Sequence, residues 1–359
     1  MRWVFRVSLM TAVGFLSCSV SPYPRSPLLA SPASGLYEVR EIKPHVFVWL
    51  PEDIVDLEGD PDFARTGTAG FVVTTEGVVV VDTTNSPFHA RELLYEIRRR
   101  TDQPVRYVID TDSEGDYTLG NEVFSDLEAT ILGSAGTQAE IGRYRQELQK
   151  RLSADPRLQA RMRGIHPTPP TQSVANEMTL RPGGEDIKLS SFPDGLAGQP
   201  PTADTVAYLP AAKVAFTGGL FENAYYPRLA WKERGRDIRR WIEALKQLET
   251  WDVDLYVPGH GPPASKREVV EFRQFLEWLA SEVEARVRQG KSLVETRLEL
   301  QPALESRHWH ARELTAEAVD DAYRQISAAR PSGEATQRPS KGSGSSSSPA
   351  SQPVFVPNP

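Results

Sequence analysis

Short apolar runs alternate with amphipathic stretches through most of the chain, and together they predict a mixed α/β domain. Residues 45–49, 70–74, 77–81 and 105–109 are apolar and rich in Val, Ile, Phe and Trp, the composition of buried strands. The second and third runs are split by a turn at Glu76-Gly77. Residues 87–100 place Leu93, Leu94 and Ile97 on one face at helical spacing. A strand at 129–132 and a long polar helix at 138–161 follow. The second half repeats the rhythm, with strands at 187–191, 205–209 and 214–217. A helix at 237–248 then aligns Ile238, Trp241, Ile242, Leu245 and Leu248 in one stripe. A strand at 253–257 leads to closing helices near 266–289 and 311–326. That order suggests two sheets packed face to face with helices outside.

The two ends lack this pattern. Arg2 and Arg6 open the chain, and residues 7–17 form an apolar stretch, shorter than the ~20 residues a membrane span requires. It reads as an export signal. Phe15-Leu16-Ser17-Cys18 resembles a bacterial lipobox, in which the cysteine is lipidated and becomes the mature N-terminus. Ser17 fits that pattern, while Phe15 stands where Leu is usual; cleavage after another small residue would discard Cys18 instead. Residues 1–18 are thus expected to be a lipoprotein-type signal and the Ser/Pro-rich 19–35 a tether. The folded domain should span 36–328, with a Ser/Gly/Pro-rich tail at 329–359 too poor in apolar residues to fold.

Composition narrows the chemistry. With 39% hydrophobic and 25% charged residues the chain can build a core. Its net charge of -7 and lack of a basic stripe exclude a nucleic-acid partner. Cys18 is the single cysteine, so intrachain disulfides and Cys-rich metal sites are excluded. Any metal would be held by His, Asp, Glu or Tyr.

One segment resembles a known signature. Residues 107–121, Tyr-Val-Ile-Asp-Thr-Asp-Ser-Glu-Gly-Asp-Tyr-Thr-Leu-Gly-Asn, look like the metallo-β-lactamase superfamily loop His-x-His-x-Asp-His followed by Gly and Asn. Three landmarks agree in order: Gly77 to Thr83 with its terminal Asp82, Asp204 to Gly219 where the family usually has Thr-Gly-Asp, and Pro258-Gly259-His260-Gly261. Four ordered landmarks are far more specific than one. The resemblance covers about residues 36–326 and implies the α+β, four-layer αββα metallo-β-lactamase fold.

The resemblance also implies two metal sites, and here the chain departs from the family. The first site would take Asp112, Glu114 and Pro200, where the family has three histidines. The second would take Asp116, Tyr117 and His260, and the bridging carboxylate falls on Gly219. Asp116 and His260 alone match. Zinc favours imidazole or thiolate donors, and Pro200 and Gly219 offer no donor at all. Zinc is therefore not expected, nor is the metal-activated water of the family's hydrolysis.

A single hard divalent cation (Ca, Mg or Mn) stays open. Asp110, Asp112, Glu114 and Asp116 alternate around Gly115 with a spacing similar to an EF-hand loop, although Asn121 stands where that loop ends in Glu. The alternative is a solvated acidic turn with Asp116 capping a short helix. His260 could be a residual ligand, a packed loop residue, or a general base partnered by an acid such as Glu114. Asp82 reads as structural, and His45, His89, His166, His308 and His310 read as ordinary. The leading expectation is an exported pseudo-hydrolase: a lipid-anchored binding or scaffold module of the bacterial envelope, facing a small molecule or an envelope protein. The alternatives are a hydrolase with a carboxylate-bound metal and a metal-free enzyme. Cys18→Ala should move the protein from the membrane fraction to the soluble fraction; unchanged fractionation and processing would contradict lipidation.

Overall fold

The computed structural model describes residues 37–52, 65–162, 164–196, 203–231 and 234–329. The expected signal with Cys18, the expected tether, the tail from 330 and the first-site position Pro200 lie outside the described residues. The first sheet runs in sequence order through β1 (Tyr37–Lys43), β2 (Val46–Pro51), β3 (Ala69–Val73), β4 (Val78–Val81), β5 (Val105–Ile109), β6 (Thr130–Ser134) and β7 (Gln172–Val174). The second contains β8 (Glu177–Leu180), β9 (Ile187–Pro193), β10 (Ala203–Leu209), β11 (Val214–Gly218) and β14 (Leu255–Pro258). A short ribbon of β12 (Ala230–Trp231) and β13 (Arg234–Gly235) stands apart.

Strand periodicity explains the layering. All four valines of β4 are buried, yet they serve different cores. Val79 and Val81 point between the sheets, with Val46, Val48, Leu189 and Phe216. Val78 and Val80 point outward against Leu93 and Ile97 of helix α1 (Pro87–Arg98). Buried on both faces, such a strand is continuously apolar. Gly70 of β3 lets the second sheet approach closely here, since a Cβ at this position would run into the Phe216 ring. On the far side, α6 (Ile238–Leu248) buries Ile238, Trp241, Ile242, Leu245 and Leu248, the stripe seen in the sequence. It packs with α7 (Lys266–Arg288), which in turn packs with α9 (Leu314–Ala328); α8 (Leu293–Glu305) joins α7 and α9. Helix, sheet, sheet and helix are the four layers expected.

Several local expectations need correction. The acidic segment is not one open loop: it contains α2 (Gly115–Thr118) and α3 (Asn121–Ser125). Asp116 does not cap α2; it lies in the first turn, and Glu114 is the N-cap. The long polar helix breaks at Asp155, which caps a second helix, into α4 (Ala135–Ala154) and α5 (Pro156–Arg161), because Pro156 cannot continue the first. Among the described residues no helix is long and apolar enough to cross a membrane.

Trp241 joins the helical layer to the strand ends. It is 1% exposed, and its Nε1–H donates to the Leu220 carbonyl at 2.7 Å. Trp241→Ala should cost about 3–5 kcal/mol, since it opens a cavity and orphans that carbonyl. Urea unfolding should show a lower midpoint at unchanged slope; a loss under about 1 kcal/mol would contradict this packing.

A candidate functional site of paired carboxylates and arginines

The candidate residues gather where strands end. β4, β5 and β6 are parallel, as are β11 and β14, so their carboxyl-terminal loops open on one edge of the sandwich, the usual ligand edge of parallel strands. Asp82 follows β4 with φ +58°. Its buried carboxylate accepts the Thr111 N–H at 2.9 Å and the Thr111 hydroxyl at 2.7 Å, fixing the loop after β5. That loop carries Asp112 and Glu114, α2 carries Asp116 and Tyr117, and the loop after β14 carries His260. All five predicted side chains line one cleft of about 40 Å³ free volume, room for a few waters.

Within the cleft the carboxylates take different partners. Asp112 pairs with the guanidinium of Arg236. Arg236 is itself 9% exposed, and it also reaches Asp204 at 2.9 Å, Asp194 at 3.4 Å and the Gly219 carbonyl at 2.7 Å. The Arg236 guanidinium lies over the Trp241 ring at 4.8 Å. Glu114 pairs with Arg228 at 3.2 Å. His260 Nε2 donates to Asp116 Oδ2 at 3.0 Å, so the acid that partners His260 is Asp116 and not Glu114. Glu222 clamps the floor: it accepts the His260 backbone N–H at 2.7 Å and the Tyr117 hydroxyl at 3.3 Å.

Burial sets the protonation balance. Burial, then the charge of Asp112, pushes Glu114 up to about 8 against the pull of Arg228. Burial likewise raises Glu222 to about 7, with His260 opposing, and Asp82 to about 8, with its Thr111 hydrogen bonds opposing. Asp204 is raised well above the usual carboxylate range by burial, which outweighs Arg236. For His260 burial favours the neutral ring, but Glu222 and Asp116 prevail and its pKa is raised.

The family's two-zinc site does not fit this donor set. Asp112 and Glu114 are each held by an arginine, and Gly219 has no side chain. Among the described residues no group of three or more His, Cys, Asp or Glu side chains is arranged to hold a metal. Arg228, Arg236 and Glu222 were not singled out from the sequence. For the two arginines the signal there was indirect, since acids gathered in one cleft need a cation; for Glu222 there was none. His310 also matters more than its sequence context suggested, since it stacks on Tyr225 at 4.8 Å, and Tyr225 lies 5.5 Å from His260.

Sequence and structure comparisons agree with this architecture. The metallo-beta-lactamase superfamily model matches residues 62–260, and the chain belongs to that superfamily. It is 24% identical over 225 residues to a linear primary-alkylsulfatase of Pseudomonas sp. (strain ATCC 19151), a match covering 55% of this chain and 42% of that protein. The chain therefore spans less than half the length of that relative. A metallo-beta-lactamase from Pontibacter korlensis superposes with a TM-score of 0.51 and 20% identity, over 67% of this chain and 99% of that one. A double mutant of a sec-alkyl sulfatase gives a TM-score of 0.59 and 17% identity, over 80% of this chain and 50% of that one. At such identities the structural likenesses establish the fold.

The raised groups share one sign of pH dependence. A carboxyl whose pKa is higher folded than unfolded stabilises the fold while protonated. That contribution is complete below its unfolded value, near 4, and is lost as pH rises towards the folded value. For Asp82 and Glu114 the loss runs up to about 8, and for Glu222 to about 7. His260 has the same sign: its contribution is present below the ordinary 6.5 and lost as pH rises through its higher folded value. The urea midpoint should therefore fall between about pH 5 and pH 8, and Glu222→Gln should flatten the slope. A midpoint that rises over this range would contradict the burial of these acids.

Proposed function

We propose that this chain is a metal-free pseudo-hydrolase of the metallo-β-lactamase superfamily, exported to the bacterial envelope, and that it acts by binding. The observation that carries the reading is the pairing of Asp112 with Arg236 and of Glu114 with Arg228. Asp112 and Glu114, at first-site positions, are already engaged by guanidiniums, which a zinc ion would have to displace from a buried site. Such pairs are hard to break, because each leaves a buried charge alone. The same pairing disfavours a hard cation on Asp112, Glu114 and Asp116. The lipobox-like Cys18 supports an envelope location.

The ligand surface of this reading is a groove of about 390 Å³ just outside the cleft, lined among others by Arg40, Glu52, Arg65, Tyr225, His260 and His310. That volume suits a small molecule, and the mixed charges with stacked rings suit a polar, partly aromatic one. His260 lines both cleft and groove. A second reading is favoured by the His260–Asp116 contact at 3.0 Å: an imidazole oriented by a carboxylate is the working part of a metal-free acid–base catalyst.

Elemental analysis of protein purified without chelator should find well under one equivalent of zinc, and added zinc should confer no alkyl sulfate turnover. Two tightly held zinc ions would overturn the metal-free reading. Turnover in chelator that His260→Gln abolishes would replace the binding role with the acid–base one.

A further inference from the structure

We infer that the exposed face of α7 carries a binding groove for an anionic amphiphile, a molecule with one carboxylate headgroup on a hydrocarbon chain. The groove has a volume of about 680 Å³ and lies between α7 and the turn after α8. It shares no lining residue with the cleft or with the groove beside His260. The inference therefore goes beyond the binding role proposed above and does not depend on it. A void of this size suits a small molecule.

Arg307 carries the assignment. Its guanidinium lies over three rings at once, 5.0 Å from the Phe275 centroid, 5.2 Å from Trp278 and 5.7 Å from Trp309. The ring faces hold the cation in place but accept none of the N–H donors in its plane. Arg273, Arg286 and Arg297 in the same helical layer each take a carboxylate. Among the described residues the Arg307 guanidinium takes neither a hydrogen bond nor an ion pair. It is a preorganised fork with its donors open, the geometry that receives a carboxylate in two parallel hydrogen bonds. The field around it has the right sign. In a chain of net charge -7, Lys266, Arg267 and Arg307 line this groove against one acid among the described residues, Glu271. Arg267 pairs with Glu268 at 2.5 Å, whereas Lys266 is exposed and takes no acid among the described residues.

The rest of the lining suits a hydrocarbon chain. Phe275, buried beneath Arg307, forms part of the wall, and Val270 is half-buried beside it. Val270 stands one turn after Lys266 and one turn before Gln274, on the same face of the helix. The methylene stem of Lys266 extends this apolar track while its ammonium stays in water. A headgroup seated on Arg307 would thus lay its chain along Val270 towards Lys266. Charge at one end and apolar surface along the groove define an amphiphile.

The test is titration of the full chain with decanoate below its micelle concentration, followed by calorimetry and by tryptophan emission. Trp278 and Trp309 flank the guanidinium, so their emission should shift as the headgroup arrives. Arg307→Gln should weaken decanoate binding ~10-fold or more, through loss of a charge-assisted hydrogen-bonded pair. Val270→Asp, a change on the exposed helix face, should weaken it by a similar factor of about ten by placing a charge along the chain's path. Acetate should bind at least ~100-fold more weakly than decanoate, because it lacks the chain, and decanol should leave the emission unchanged. If Arg307→Gln fails to fold, Val270→Asp decides in its place. The inference is overturned by absence of decanoate binding, or by an affinity that the folded variants leave unchanged. Acetate binding as well as decanoate would leave an anion site only, and decanol binding as well would leave apolar adsorption only; either result overturns it too.

Discussion

One guanidinium ties the cleft together. Arg236 reaches Asp112, Asp194, Asp204 and the Gly219 carbonyl, and it lies over Trp241. Loops from both sheets and the first turns of α6 are thereby joined through one buried side chain. Arginine suits this place because its planar fork offers several donors in fixed directions and keeps its charge when buried. Removing one partner of such a buried pair costs about 3–5 kcal/mol, since the remaining charge is left unsolvated. The arrangement thus stabilises the native cleft chiefly by making every partial alternative costly.

The chemistry of the cleft follows from that constraint. The superfamily fold supplies an edge where loops after parallel strands converge, and this chain keeps the edge while changing what fills it. Asp112 and Glu114 are held by arginines, Asp116 orients His260, and Glu222 ties Tyr117 to the His260 backbone. The result is a nearly filled polar cluster beneath an open groove. A shared fold carries no activity by itself, so the relatives that hydrolyse lactams or alkyl sulfates, as their names state, do not lend their chemistry to this chain. On the binding role proposed above, recognition would fall in the groove, with His260 at its boundary with the cleft.

Much of the fold was legible because burial writes itself into periodicity. The valine run of β4 and the stripe of α6 could be read directly, and the ordered landmarks ending at Asp82, Gly219 and His260 named the architecture. The cleft was legible only in part. Asp112, Glu114, Asp116, Tyr117 and His260 could be found because the signature loop orders them, and they do share one cleft. Arg228, Arg236 and Glu222 could not, because no spacing rule connects them to that loop; only the tertiary fold brings residue 236 to residue 112. The short helices α2 and α3 were missed because acidic and glycine residues mask their periodicity over so few turns. His310 was missed for a related reason: its role rests on stacking against Tyr225 across a loop, which leaves no pattern along the chain.

Occupancy of the cation position between Asp112 and Gly219 is the central matter, and crystals grown with excess zinc would address it directly. Diffraction recorded at the zinc absorption edge should show the Arg236 guanidinium seated among Asp112, Asp194 and Asp204, with no anomalous peak in the cleft. An anomalous peak bonded to Asp116 and His260, with Arg236 swung away from Asp112, would contradict an internal cation in the metal's place.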